Sequence, residues 1–167
     1  IDLRNWSLSY VTSGGNVNFS NLSETSLVLE PGEYAAFTED PENIALEYPL
    51  AHTERVFNAD LPTYSNDEGR VTLVSNLYDT IDDFSYSADM HFDLLIDVDG
   101  ISLERINPDR QTNDATNWHS ASERVGFATP GYENSQFGFS ENASTEININ
   151  PETFSPDNDG YNDVVNI

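Results

Sequence analysis

The chain has no cysteine and no lysine, a single methionine, and only six basic residues, all arginine, among its 167 positions. Without cysteine there is no disulfide and no thiolate metal site, and the redox compartment cannot be read from cysteine usage. Six arginines against thirty acids leave 6 − 30 = −24. Such a surface repels phosphate backbones and anionic membranes, which argues against sequence-independent phosphate binding as the main task. It suits divalent cations or a basic partner, or serves as a plain solvated surface. No apolar run approaches the roughly 20 residues that cross a bilayer. No leader is visible, and the chain opens without methionine, so its start carries no information about processing. Catalytic patterns are missing too. His52, His91 and His119 are widely separated, with no HExxH, and there is no GxSxG. With thirty acids some carboxylates pair by chance, and a glycosidase needs two in one cleft, which spacing alone does not supply.

What remains is a strand-rich pattern. Hydrophobic residues make up 37%, enough for one ordinary domain with a modest core plus a remnant. Trp6, Leu8 and Tyr10 alternate with Ser7 and Ser9, the period of a one-sided strand. Ser13-Gly14-Gly15-Asn16 reads as a hairpin turn, with Val17 and Phe19 opening the return strand. Glu30-Pro31-Gly32-Glu33 is a tight turn between Leu27-Val28-Leu29 and the Tyr34 to Phe37 stretch, because proline presets one dihedral and glycine supplies the next. Asp40-Pro41-Glu42 predicts a helix start, with Asp as cap and Pro at the first helical position; Pro49 limits that helix to roughly two turns. Asn66-Asp67-Glu68-Gly69 predicts a further turn, followed by strands over Val71–Val74 and Asp79–Tyr86, and Ser87 to Ile96 suits a helical turn.

The most informative stretch is Ile96 to Gly131. Ile101 and Leu103 alternate with Ser102 and Glu104, which predicts a half-buried strand with the latter pair on the polar face. A polar loop leads to Asn117-Trp118, and Ala128-Thr129-Pro130-Gly131 marks a chain reversal. GxSLERI, NW and ATPG in this order resemble the C-terminal half of a lamin-tail domain of the secreted bacterial type. The DLxNWxLS opening, the LxPGxY turn and the GRVTLV…YDTIDDFSYS order are similar to the same family. The resemblance covers most of residues 1–137 and implies an all-β, immunoglobulin-like β-sandwich over 1–137 that acts as an accessory module rather than a catalyst. In that family the opening follows two earlier strands. These strands are not in this chain, so an unfilled sheet edge and further polypeptide upstream are expected.

Composition shifts after Asn134. Residues 138–146 read as a linker, and Ile147 and Ile149 then alternate with Asn148 and Asn150 as a new strand. FSPDNDGYND, from Phe154 to Asp163, resembles the start of the gliding-motility-associated C-terminal domain, type B, which directs proteins to the type IX secretion system. That match covers residues 147–167 and holds only the first strands of the second β-domain. In calcium-loop register Ser155, Asp157 and Asp159 fall at the first, third and fifth positions. Gly160 takes the sharp sixth, and the Tyr161 carbonyl and Asp163 take the seventh and ninth. Asn166 stands where a bidentate Glu belongs, so the loop is either a calcium site completed from elsewhere or a metal-free Asx-rich turn. Asp97 and Asp99 before Gly100 form a second acidic loop that lacks a third ligand in register, while Asp79, Asp82 and Asp83 fall on both faces of a strand.

Three single residues have a core reading and a ligand reading side by side. Trp6 and Trp118 suit either the core or a sugar-stacking platform, and Arg105 suits either a tie to a carboxylate or loop carbonyls, or ligand binding. Sequons at Asn5, Asn18, Asn21 and Asn142 reflect a chain rich in Asn and Ser. Asp79-Thr80-Ile81 resembles the acceptor of bacterial O-glycosylation. The expected function is a non-enzymatic interaction or spacer module of an extracellular or outer-surface bacterial protein, exported by the type IX machinery and stiffened by calcium. The alternatives are a carbohydrate-binding module, or an accessory part of a larger extracellular nuclease or protease with its catalytic residues upstream.

Overall fold

The computed structural model describes residues 1–11 and 17–138. β1 (Ser7–Val11), β2 (Val17–Asn21), β5 (Glu68–Val74) and β6 (Thr80–Ser87) form an antiparallel sheet in the order β2-β1-β5-β6. β3 (Ala36–Thr38) and β4 (Val56–Asn58) make a short parallel pair, and β7 (Leu103–Arg105) and β8 (Trp118–Ser120) a short antiparallel one. The described part is therefore all-β, with α1 (Pro41–Glu47) its one α-helix.

Alternation builds the large sheet as the sequence predicts. Leu8 faces Leu73 in register, and both pack on a buried cluster of Leu3, Trp6 and Leu22. Phe37 of β3 packs on the same cluster. Trp6 is thus a core residue. The core is small, because the other buried apolar side chains among the described residues are Ala59, Pro62, Val74, Ala121 and Ala128. At the other end of the inner face, Phe84 of β6 stacks on Trp118 of β8 with ring centres 3.7 Å apart. The Trp118 indole donates to the Thr112 carbonyl at 2.7 Å, so this tryptophan also serves packing.

Local signals hold at the turns and the helix. The Asp40 carboxylate accepts from the Asn43 amide at 3.0 Å with Pro41 at the helix start, and α1 ends before Pro49. Glu33 N–H donates to the Glu30 carbonyl across a turn with Gly32 at φ +82°. The expected hairpin turn at Ser13 to Asn16 lies outside the described residues, but its flanking strands pair from Ser7↔Asn21 to Val11↔Val17. Ser87 to Ile96 contains a single 3-10 turn, Ala88–Met90.

One turn is shorter than expected. Glu68 and Gly69 already belong to β5 rather than to a loop. Gly69 is opposite Tyr86, and a Cβ there would sit 2.4 Å from the Tyr86 hydroxyl. Glycine is needed for the ring that crosses it, not for a turn conformation. Gly131 does serve the Thr129-Pro130-Gly131 reversal, at φ +83°. A Cβ would also lie 2.8 Å from the His52 carbonyl oxygen, whose own amide donates to the Pro130 carbonyl. Gly131→Ala is expected to lower stability by about 2 kcal/mol, from left-handed strain plus overlap with backbone that cannot swing away. Urea unfolding measures it, and a loss near zero would mean that the reversal relaxes.

The two edges of the sheet differ. The Asn113 side chain lies along β6, accepting from the Ser85 amide at 2.8 Å and donating to the Asp83 carbonyl at 2.9 Å, in the place of a neighbouring strand. At the β2 edge no hydrogen bond from another segment reaches the outer side of the strand among the described residues.

Candidate functional site

Strand β7 is the centre of the best-formed polar constellation. Sequence alternation places Glu104 on a solvent face, and the structure corrects this: Glu104 is buried, 3% exposed. Its carboxylate accepts from the Thr129 hydroxyl at 2.6 Å, the Ser135 hydroxyl at 2.7 Å and the Gln136 amide at 3.1 Å. Three donors compensate the desolvation of a carboxylate that alternation alone assigns to water. Asn117 is fully buried. Its side chain accepts from the Asn107 amide and donates to the Asn107 and Gln111 carbonyls. Arg105 reaches the Asp82 carboxylate at 3.2 Å and the Pro108 and Arg110 carbonyls at 3.1 and 2.5 Å. It joins a carboxylate and loop carbonyls at once, as its chemistry suggests. Its Nε is buried without a hydrogen-bond partner among the described residues.

A cleft of about 420 Å³ opens between the inner face of β5 and β6 and the segment 98–103. Its walls include Tyr48, Tyr64, Phe84, Tyr86 and His91. Several of its polar groups are already engaged. Tyr48 donates to the Gly100 carbonyl at 2.9 Å and Tyr86 to the Ser65 carbonyl at 2.6 Å. The Tyr64 hydroxyl is buried and unpartnered among the described residues, and burial, with Tyr86 and Tyr10 nearby, pushes its pKa up to about 12. It is a neutral phenol at any physiological pH.

His91 Nδ1 lies 2.9 Å from Ser120 Oγ, the spacing of a nucleophile and its base. The rest of such a site does not follow. Ser120 is 3% exposed, its hydroxyl already receives the Phe92 amide at 3.0 Å, and no acid orients the imidazole among the described residues. The pair ties the segment after β6 to β8. Burial, then the neighbouring His119, pushes the His91 pKa below its usual 6.5. The unfolded chain therefore binds the proton more readily. His91's contribution is complete above pH 6.5 and is lost as pH falls below that value. His91→Gln should flatten the decline in melting temperature between neutral and mildly acidic pH, and an unchanged slope would remove His91 as its source.

The other acids brought together are tied to nearby donors. Asp82 faces inward to Arg105 and Thr112, and Asp83 outward to Arg70 and Thr72, so the two adjacent carboxylates do not share an ion. The bidentate hydrogen bonds from Arg70, then the Thr72 hydroxyl, hold Asp83 below the usual carboxylate range. The Thr116 hydroxyl, then Arg110, does the same for Asp114. Asp97 accepts the Asp99 amide at 3.0 Å in an exposed loop. Among the described residues no group of three or more His, Asp or Glu side chains is arranged to hold a metal ion. The calcium-loop residues Ser155, Asp157, Asp159, Tyr161 and Asp163 lie outside the described residues, as do the linker and the second domain.

The exposed rings Phe19 and Tyr78 meet at 81°, so they do not form one flat platform for a sugar ring. Thr80 is exposed at the start of β6, where its hydroxyl is open to modification. Sequence reasoning missed the roles of Glu104, Asn117 and Ser120. A charged residue inside an apolar strand was the available signal for the first, and the NW pair for the second.

No family model matches the chain, no curated protein matches it, and no solved structure matches it.

Proposed function

We propose that the described residues form an immunoglobulin-like sandwich of the lamin-tail kind, acting as a non-enzymatic spacer or interaction module of an exported bacterial surface protein. One observation carries this reading. The three fragments on which the resemblance rests meet in space: Glu104 of SLERI holds Thr129 of ATPG, and Asn117-Trp118 stands beside β7, with Trp118 opposite Arg105. Residues far apart in sequence are spent on fixing loops to one another, which suits a rigid accessory module better than a reactive cleft. The tail from residue 147 is the part the type IX machinery would read, and calcium held by Ser155, Asp157, Asp159, the Tyr161 carbonyl and Asp163 would neutralise clustered carboxylates at the junction.

Two measurements test it. Calcium titration of the whole chain should give heat that vanishes in an Asp157→Ala, Asp159→Ala double variant, with a melting temperature that chelator lowers. Equal uptake by the variant would dismiss the site. The chain should also leave ester, glycoside, peptide and phosphodiester substrates unchanged; turnover that disappears in Ser120→Ala would replace the module reading with a hydrolase.

A further inference from the structure

No charged residue occurs between Arg4 and Glu24, in a chain that carries thirty acids and six arginines elsewhere. This neutral stretch includes the β1–β2 hairpin. Natural sheet edges are commonly guarded by charge, proline, a bulge or a covering loop. Asn113 covers β6, whereas β2, reading VNFSN, has neither charge nor proline. On its outer face Val11 pairs with Val17 beside Phe19, and these side chains are 64%, 55% and 50% exposed. A groove of about 500 Å³ runs beside the C-terminal half of β2, from Phe19 to Ser23, and faces Asn58 and Ala59. The carboxylate residues Glu24 and Asp60 line it at that end. No hydrogen bond or ion pair engages either carboxylate among the described residues.

We propose that β2 is a docking edge for an extended, cationic segment of another protein, which adds as a fifth strand antiparallel to β2 with its basic end beside Glu24 and Asp60. Backbone hydrogen bonds supply a sequence-tolerant ladder, and alternate side chains rest on Val17 and Phe19. Antiparallel addition continues the pattern of the sheet and puts the N-terminal end of the incoming segment at the acidic end of the groove. Charge selects the visitor. A second copy would bring another −24 to within a Debye length, roughly 8–10 Å, whereas a basic segment is drawn in by the same field. This goes beyond the module reading above, in which strands expected upstream would take an open edge; here the edge belongs to a separate polypeptide.

The test uses the full chain and a short fluorescein-labelled peptide that alternates threonine with valine and carries an arginine pair at its N-terminal end. Anisotropy should report binding that weakens as salt rises. The affinity should fall about tenfold in a Glu24→Gln, Asp60→Asn double variant, whose exposed positions leave the melting temperature unchanged. A version with glutamates for the arginines, and one N-methylated at alternate backbone nitrogens, should not bind. No binding by the basic peptide overturns the proposal, as does equal binding by the N-methylated one. Concentration-dependent doubling of the 18.6 kDa mass, strengthened by salt and excluding the peptide, would assign the edge to a second copy instead. Neither failure touches the module reading, which falls only if substrate is turned over.

Discussion

Asn117→Leu is expected to lower folding stability by about 3–4 kcal/mol, a large share of what a domain of this size possesses. Asn117 is 0% exposed, and leucine shares its branching but is bulkier, so no cavity is left and the loss comes from the missing hydrogen bonds with some overpacking added. The Asn107 amide loses its acceptor, and the Asn107 and Gln111 carbonyls lose a donor at 2.9 and 3.4 Å. The Asn107 groups are half-buried, so water replaces the side chain there only in part, while the exposed Gln111 loses less. The damage should extend along the loop between β7 and β8. That loop also places Thr112 against Asp82 and Trp118, and Asn113 against β6. Chemical denaturation with an unchanged slope measures the effect. A loss below about 1 kcal/mol would mean that Arg105 and Arg110 hold the loop by themselves.

Glu104 supports a two-variant experiment. Glu104→Leu should cost about 3–4 kcal/mol, because the Thr129 hydroxyl, the Ser135 hydroxyl and the Gln136 amide all lose their acceptor inside the protein. Glu104→Gln should cost only about 1 kcal/mol. A hydroxyl can turn to accept from the new amide group, while the remaining carbonyl oxygen still serves the Gln136 N–H, which cannot turn. The gap between the variants separates hydrogen bonding from charge. Equal, large losses would show that the negative charge itself organises the ATPG loop.

The parts of the fold legible in the sequence were those fixed locally. Asp40-Pro41 starts α1, Pro31-Gly32 makes a turn, and serine alternating with Leu8 and Tyr10 builds β1. These depend on dihedral preferences and a period of two, which neighbouring residues express by themselves. Arg105 was legible in kind, since a guanidinium on a strand beside polar loops finds carboxylates and carbonyls. Glu104 was misread because alternation assigns a face by polarity. A carboxylate given donors from residues 129, 135 and 136 breaks that assignment, and donors so distant in sequence leave no periodic trace. Gly69 was misread for a related reason: its meaning lies in Tyr86 on the opposite strand. The Ser120–His91 contact spans 29 positions and likewise had no local signature.

The asymmetry between the two borders of the sheet sets a stoichiometry. Were both open, each newcomer could expose a fresh border for the next, and recruitment would propagate as a fibril. With Asn113 standing in for a strand along β6, growth has a permanent dead end on that flank. Any assembly seeded from the remaining flank stops at one guest per molecule, provided the guest's own far side is guarded.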